Sequence, residues 1–130
     1  MATSQRVITM YDAPMWESIA RRAWSLQRCC DCAKFRYPPS PICPDCHCLE
    51  SDWVELAGKG ELLSWTVFHR KYFDDYPPPY NVVTVRLAEG PIVVSNLVGA
   101  EPDRSAIGRP VEIVYEQHLD YLLPRVKFAD

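Results

Sequence analysis

The sequence predicts a mainly β protein: an N-terminal helix, a small metal-bound ribbon, then a five-stranded barrel. Three observations carry this expectation. Four cysteines fall into two C-x2-C pairs, Cys29 with Cys32 and Cys43 with Cys46. From Trp53 onward, apolar residues alternate with period two in short runs bounded by Gly, Pro and Asn. Ahead of the cysteines, apolar residues instead recur at three- and four-residue spacing. The expected divisions are an arm and helix over 1–25, a ribbon over 26–52 and a barrel over 53–130.

Residues 1–10 are polar and unpatterned and read as a loose arm. Asp12 is placed to cap a helix with Pro14 in its first turn. Trp16, Ile19, Ala20, Ala23 and Trp24 then form one stripe, which predicts a helix from about 13 to 25. The stripe is wide for so short a helix. It must be buried, either on its own chain or on a partner.

The ribbon segment contains Tyr37-Pro38-Pro39-Ser40-Pro41, where the prolines forbid helix and favour an extended or turning backbone. Beyond it the strands expected are 53–56, 61–70, 81–87, 92–98, one around Val111, Ile113 and Tyr115, and 122–128. Ala57-Gly58-Lys59-Gly60 and Ala88-Glu89-Gly90-Pro91 are turns. On the long strand, strict alternation puts Leu63, Trp65 and Val67 on one face and Leu62, Thr66 and Phe68 on the other. Five main strands with tight turns suit a closed barrel, which leaves no exposed edges. The OB-fold is the common five-stranded solution. An SH3-like barrel or an open sandwich would produce similar strand signals.

Composition sets the bounds. The chain has 130 residues, 48% of them hydrophobic and 24% charged, as expected of a soluble globular protein. No apolar run approaches the ~18 residues of a membrane span. The stretch Met1 to Arg6 lacks the apolar core of a secretory signal, so a cytoplasmic location is expected. Cytosolic thiols stay reduced. Six cysteines confined to Cys29–Cys48 therefore read as metal ligands rather than disulfides.

Residues 1–52 carry six Lys/Arg against six Asp/Glu, and residues 53–130 carry eight against eleven. Neither half has the basic surplus that nucleic-acid binding usually requires. This weighs against a single-stranded nucleic-acid module, the reading that a zinc ribbon joined to an OB-fold would otherwise invite.

The spacing of the four cysteines lets two knuckles close a tetrahedral site on one ion. The segment has too few apolar residues to fold without it, so the role expected of the metal is structural. Zinc is the expected ion, and iron takes the same ligands. Cys30 and Cys48 are left over, and His47 reads as an exposed knuckle residue.

The second candidate site is the loop from Phe68 to Tyr80. It gathers Phe68, Tyr72, Phe73, Tyr76 and Tyr80 beside His69, Arg70 and Lys71. Such a set suits a protein interface. Its rings also offer stacking surfaces for a base such as adenine, with Arg70 and Lys71 as phosphate partners, though less readily than an interface. It could also simply cover the barrel mouth. Trp16, Trp24 and Tyr37 complete the set of candidate contact residues. No Ser/His/Asp order, nucleophile elbow or glycine-rich phosphate loop is visible. His118, in Gln117-His118-Leu119-Asp120, reads as a solvated loop residue.

From Trp16 to Phe128 the chain resembles the acyl-CoA-associated proteins once catalogued only as a domain of unknown function. The most specific stretch is Cys29-x2-Cys32, Tyr37-Pro38-Pro39 and Cys43-Pro44-x-Cys46. Trp53-Val-Glu-Leu-x-Gly58-Lys-Gly60, Ser64-Trp65-Thr66-Val67, Pro79-Tyr80-x-Val82-Val83, Asn96-Leu97-Val98-Gly99 and Ile107-Gly108-x-Pro110-Val111 support it. Two positions depart from the family pattern. Ala33 stands where glycine is usual, and Cys48 where a small non-ligand residue is common.

The resemblance implies a helical arm, a rubredoxin-like zinc ribbon and a C-terminal OB-fold. It also implies a non-catalytic accessory subunit, in a hetero-oligomer with a thiolase-like enzyme (a lipid-transfer-type thiolase or aldolase), that supports acyl-CoA chemistry and could help hold the CoA moiety, for which the Phe68 to Tyr80 loop is the candidate contact. A self-sufficient acyl-CoA thioesterase or hydratase is the alternative enzyme reading.

Overall fold

The computed structural model describes residues 2–130; Met1 lies outside the described residues. Among the described residues one α-helix, α1 (Ala13–Ala20), precedes eight strands: β1 (Ser25–Cys29), β2 (Phe35–Arg36), β3 (Ser51–Glu55), β4 (Lys59–Phe68), β5 (Tyr80–Leu87), β6 (Ile92–Ser95), β7 (Pro110–His118) and β8 (Tyr121–Phe128). A 3-10 turn at Arg104–Ala106 precedes β7. Among the described residues no helix is long and apolar enough to cross a membrane.

The helix is shorter than its periodicity predicts. Arg21 caps it, and Arg22 turns to φ 60. The chain then enters β1, so Ala23 and Trp24 continue the apolar pattern in non-helical backbone. Asp12 does occupy the N-cap, but its side chain caps nothing. Its carboxylate turns back to accept from the Thr9 hydroxyl at 3.0 Å. The apolar stripe is partly buried on its own chain: Ile19 and Trp24 join the hydrophobic core together with Met15, Trp16 packs half-buried against it, and Ala20 is exposed; α1 packs on β8 and β1.

The arm is not loose. Arg6 lies 4.8 Å from the Trp16 ring and 4.2 Å from the Tyr121 ring. The Ser4 amide donates to Asp75 at 2.7 Å. A guanidinium on aromatic faces and a carboxylate accepting a backbone N–H are contacts that composition does not reveal.

Two sheets form. The ribbon sheet has the order β2-β1-β3, with Ser25 opposite Glu55 and Cys29 opposite Ser51. The second sheet has the order β6-β5-β4-β7-β8 and is antiparallel throughout. Its two ends meet through a parallel bridge between Leu97 and Val126. The Val98 amide donates to the Val126 carbonyl at 2.9 Å, and the Val126 amide to Asn96 at 3.1 Å. Asn81 ties the same seam: its side chain donates to the Leu97 carbonyl at 2.9 Å and accepts from the Leu97 amide at 2.7 Å. Five strands closed by one parallel contact make the OB-fold.

The strict alternation expected along β4 fails at one point. A bulge between Leu62 and Ser64 skips Leu63, so Leu62 opposes Val85 and Trp65 opposes Val83. Both partners are buried. Leu62 and Trp65 therefore share the inner face, which alternation alone had put on opposite sides. Gly60 is required where β4 begins, because a Cβ there would sit 2.7 Å from the Arg86 carbonyl oxygen. The barrel core is aliphatic, with Leu62, Val83, Val85, Leu87, Val93, Leu97, Val111 and Val126 all buried.

Candidate metal centre and aromatic cleft

Each C-x2-C pair forms a knuckle, and the two knuckles have the same local geometry. The amide of Ala33 donates to Cys29 and that of His47 to Cys43, at 3.1 and 3.0 Å. Ala33 and His47, each just after the second cysteine of its pair, have φ of 65 and 67. Glycine adopts this left-handed backbone at little cost, so Ala33, standing where the family usually has glycine, is mildly strained.

The four Sγ atoms lie within 4.8 Å of one another. Cys29 and Cys46 approach to 3.5 Å, Cys32 and Cys43 to 3.6 Å. A tetrahedron with metal–sulfur bonds of about 2.3 Å has edges of about 3.8 Å. The first cysteine of each knuckle is prepared to ionise. The Cys32 amide, helped by that of Asp31, lowers the Cys29 thiol to about 6, and the amides of Cys46 and Asp45 lower Cys43. Cys46 is pushed up to about 12: the Cys48 amide lowers it, but burial and the neighbouring thiols outweigh that. Four thiolates this close can all ionise only around a cation. The tetrad therefore fits a divalent metal, which Cys29, Cys32, Cys43 and Cys46 would hold with no open position.

Cys30 and Cys48 stay outside the tetrad. The Cys30 thiol faces Asp52 at 3.7 Å, and the Cys48 sulfur accepts from the Glu50 amide at 3.4 Å. Arg36 was not singled out by sequence reasoning. It is 2% exposed inside the ribbon and donates to the carbonyls of Ser40, Cys48 and Glu50 at 3.1, 3.2 and 3.4 Å. It ties the ribbon's loops to its sheet. Nothing in the sequence distinguishes it from the exposed Arg28 eight residues earlier.

The aromatic candidates do not form one site. Trp16, Trp24, Tyr37, Phe73 and Tyr76 line a cleft of about 340 Å³ on the outer side of the barrel. Its floor is made by outward-facing Val82 and Val94 and by Ser95, Asn96 and Arg125. Trp24 and Tyr37 meet edge to face at 6.2 Å, joining helix end to ribbon. Phe68, His69, Arg70 and Tyr72 line a separate, smaller depression of about 260 Å³. There the Arg70 guanidinium lies 5.4 Å from the Tyr72 ring. Lys71 is turned to Asp74, at 3.1 Å.

His118 is not a solvated loop residue. It ends β7, with its side chain 10% exposed, and its Nε2 is 2.6 Å from Asp75 Oδ2. Its ring lies 4.8 Å from that of Tyr76. Asp75 also accepts from the Ser4 amide and hydroxyl. Burial raises the Asp75 carboxyl, but the Ser4 and His118 hydrogen bonds more than reverse this and hold it well below the usual carboxylate range. On its other side His118 Nδ1 faces the Arg125 guanidinium at 3.4 Å. Arg125 also bonds Asn96 and reaches the Tyr76 hydroxyl at 3.5 Å. Arg125 cannot lose a proton, so Nδ1 must accept and Nε2–H must donate to Asp75. Both ring nitrogens are thereby occupied. Sequence reading missed this network because Asp75, His118 and Arg125 come from a loop and two strands and share no motif.

The comparisons with known proteins agree with this architecture. The family described as ChsH2, C-terminal OB-fold domain, matches residues 53–116. A DUF35 domain-containing scaffold protein of Methanothermobacter thermautotrophicus is 33% identical over 107 residues, covering 78% of this chain and 79% of that protein. A probable enoyl-CoA hydratase alpha subunit of Thermomonospora curvata is 42% identical over 101 residues, or 77% of this chain. The match spans only 32% of that subunit's length. A solved structure described as the Ltp2-ChsH2(DUF35) aldolase superposes with TM-score 0.88 at 35% identity, covering 97% of this chain and 100% of the other.

Proposed function

This chain belongs to the acyl-CoA-associated DUF35 family of OB-fold proteins, and from that premise we propose that it is a non-catalytic accessory subunit of a thiolase-like enzyme. In this role the partner performs the acyl-CoA chemistry and this chain completes or stabilises the assembly. The observation that carries the reading is the match along almost its whole length to a chain of an aldolase complex, at TM-score 0.88. The hydratase-subunit and scaffold names of its relatives support the same class.

The site chemistry is consistent with this role. A tetrad of thiolates around a structural zinc would offer no coordination position to a substrate. The Asp75–His118 pair resembles a general-base dyad in outline. Its imidazole, however, has no nitrogen left to take a substrate proton, since Asp75 and Arg125 hold both. The pair serves to pin the arm and the aromatic loop to the barrel.

The partner surface we assign is the arm ahead of α1 rather than the helix face. The large residues of the helix stripe are largely committed to their own chain, Ile19 and Trp24 in the core and Trp16 against it, whereas Val7 and Met10 are each 79% exposed and Ile8 and Tyr11 flank them at 46% and 44%. Large apolar side chains this concentrated on a surface mark an interaction site. The CoA contact considered for Arg70, Lys71 and the loop aromatics stays part of the proposal. Lys71 is paired with Asp74, whereas the Arg70 guanidinium lies against the Tyr72 ring.

Co-expression with a thiolase-like enzyme encoded beside this protein tests the reading. A complex that co-elutes on size exclusion, and that dissociates when Val7 and Met10 are both changed to Asp, is the expected result. Separate elution with unaltered thiolase activity would overturn it.

A further inference from the structure

We propose that Cys30 and Cys48 form a redox modification site, a dithiol that a small-molecule disulfide closes to a protein disulfide, stapling the ribbon beside the tetrad. This goes beyond the accessory role and needs no partner.

The pair is what remains once the tetrad is set aside. All six cysteines are free thiols, and four of them converge. Backbone direction separates the two sets. Cys29 ends β1 and is buried, whereas Cys30, the next residue, is exposed, because successive side chains of an extended chain face opposite sides. Cys46 joins the tetrad, and Cys48, two residues on, turns its sulfur to the Glu50 amide at 3.4 Å.

Glu50 brings Cys30 and Cys48 together. Its carbonyl accepts from the Cys30 amide at 3.1 Å, continuing the β1–β3 ladder by one rung. The Cys48 thiol lies 3.8 Å from the same carbonyl oxygen. The two cysteines therefore meet across a single peptide group, Cys48 as the diagonal neighbour of Cys30. Diagonal Cα atoms in a sheet stand about 7 Å apart, at the upper edge of what a disulfide spans. The Cys48 sulfur is already drawn in against Glu50, so the remaining adjustment falls on Cys30. Its thiol donates to Asp52 at 3.7 Å, a weak contact that one side-chain rotation breaks.

Cys30 is the exposed thiol and reacts first. It loses its proton to water and attacks one sulfur of the small disulfide; that S–S bond breaks, and one small thiolate leaves and takes up a proton. Cys48 then attacks the mixed disulfide at the Cys30 sulfur, forms the Cys30–Cys48 bond and expels the second small thiol, which takes up the Cys48 proton. Two protein thiols are oxidised by two electrons, and one small disulfide is reduced to two thiols. Asp52 beside Cys30 favours an uncharged disulfide over an anionic one. The new bond closes residues 30–48 into a loop containing Cys32, Cys43 and Cys46. Closing a loop removes conformations from the metal-free ribbon, so the tetrad should hold its metal longer against a chelator.

The test is treatment of the cobalt-loaded full chain with hydroxyethyl disulfide. The expected product is lighter by two hydrogens, with peptide mapping placing the bond between Cys30 and Cys48. Its cobalt–thiolate spectrum should be unchanged, and dithiothreitol should reverse the reaction. Chelator-driven loss of cobalt should then be about tenfold slower than in the reduced protein. Cys30→Ser and Cys48→Ser, which touch no tetrad ligand, should each bind cobalt normally, form no internal bond and lose the slowing. A mixed disulfide that persists on Cys30 in the parent chain, a cross-link to a tetrad cysteine or between two chains, or an unreacted protein would overturn the proposal. So would a Cys30–Cys48 bond that leaves the rate of cobalt loss unchanged.

Discussion

The ribbon and the barrel solve the same problem by different means. In the ribbon segment the buried residues are Leu26, Gln27, Cys29, Arg36 and Cys43, of which only Leu26 is aliphatic. The barrel buries a continuous set of valines and leucines and closes on itself through Leu97 and Val126. Hydrophobic burial is non-directional and survives small rearrangements. A cysteine tetrad that could hold a metal ion and a guanidinium bonded to three carbonyls both depend on exact position. The ribbon should accordingly be the brittle half and the barrel the tolerant one.

The largest test of this difference is removal of the metal that the tetrad would hold. Cys43→Ser, or a strong chelator, should unfold the ribbon because structural zinc contributes on the order of 10 kcal/mol to folding such segments. Hydrogen exchange would show β1, β2 and β3 losing protection while β4, β5 and β7 keep theirs. Equal loss in both halves would remove the distinction. Leu62→Ala should cost about 3 kcal/mol, the scale of a leucine cavity in a packed core. Urea unfolding of the metal-loaded protein should show the loss in the barrel transition, with the tetrad still able to bind cobalt and give its thiolate spectrum.

A smaller effect is expected where the arm meets the barrel. The Asp75 carboxyl is lowered in the folded state, so its contribution is present above the unfolded carboxylate range. It is lost as pH falls through that range toward the folded value. Acidification from about pH 4 downward should weaken the arm's hold progressively and release it only well below that pH, read as exchange of the Ser4 amide and as fluorescence of Trp16. Asp75→Asn should expose that amide already at neutral pH and flatten the pH dependence. The smallest effect concerns Ala33. Replacing it by Gly at φ 65 should stabilise the loaded ribbon by roughly 1 kcal/mol, measured as a slower chelator-driven metal loss.

The candidate site was only partly legible. Trp16, Trp24, Tyr37, Phe73 and Tyr76 were recognisable as exposed or interfacial aromatics, and the cleft does bring those five together. Phe68, His69, Arg70 and Tyr72 looked equivalent in the sequence, yet they line a different depression. Proximity along a loop does not determine which way successive side chains point. Arg125 and Asp75 carried no signal, and Asn96 entered only through the Asn96-Leu97-Val98-Gly99 match, because a polar residue in a strand or loop is by default solvated. Only a tertiary neighbour makes it part of a buried network.

The sequence alone determined the elements with a local cause. Two C-x2-C pairs specify knuckles because the geometry lies within four residues. Period-two runs specify strands because a pleated backbone sends alternate side chains to one face. Tertiary structure decided what depends on distant parts meeting. The helix ends at Ala20 because the chain must turn into β1. The β4 bulge brings Leu62 and Trp65 to one face because both valines opposite them point inward. The barrel closes where Leu97 and Val126, 29 positions apart, form a parallel bridge. His118 became part of the core network rather than a surface group because Asp75 and Arg125 approach its ring from opposite sides.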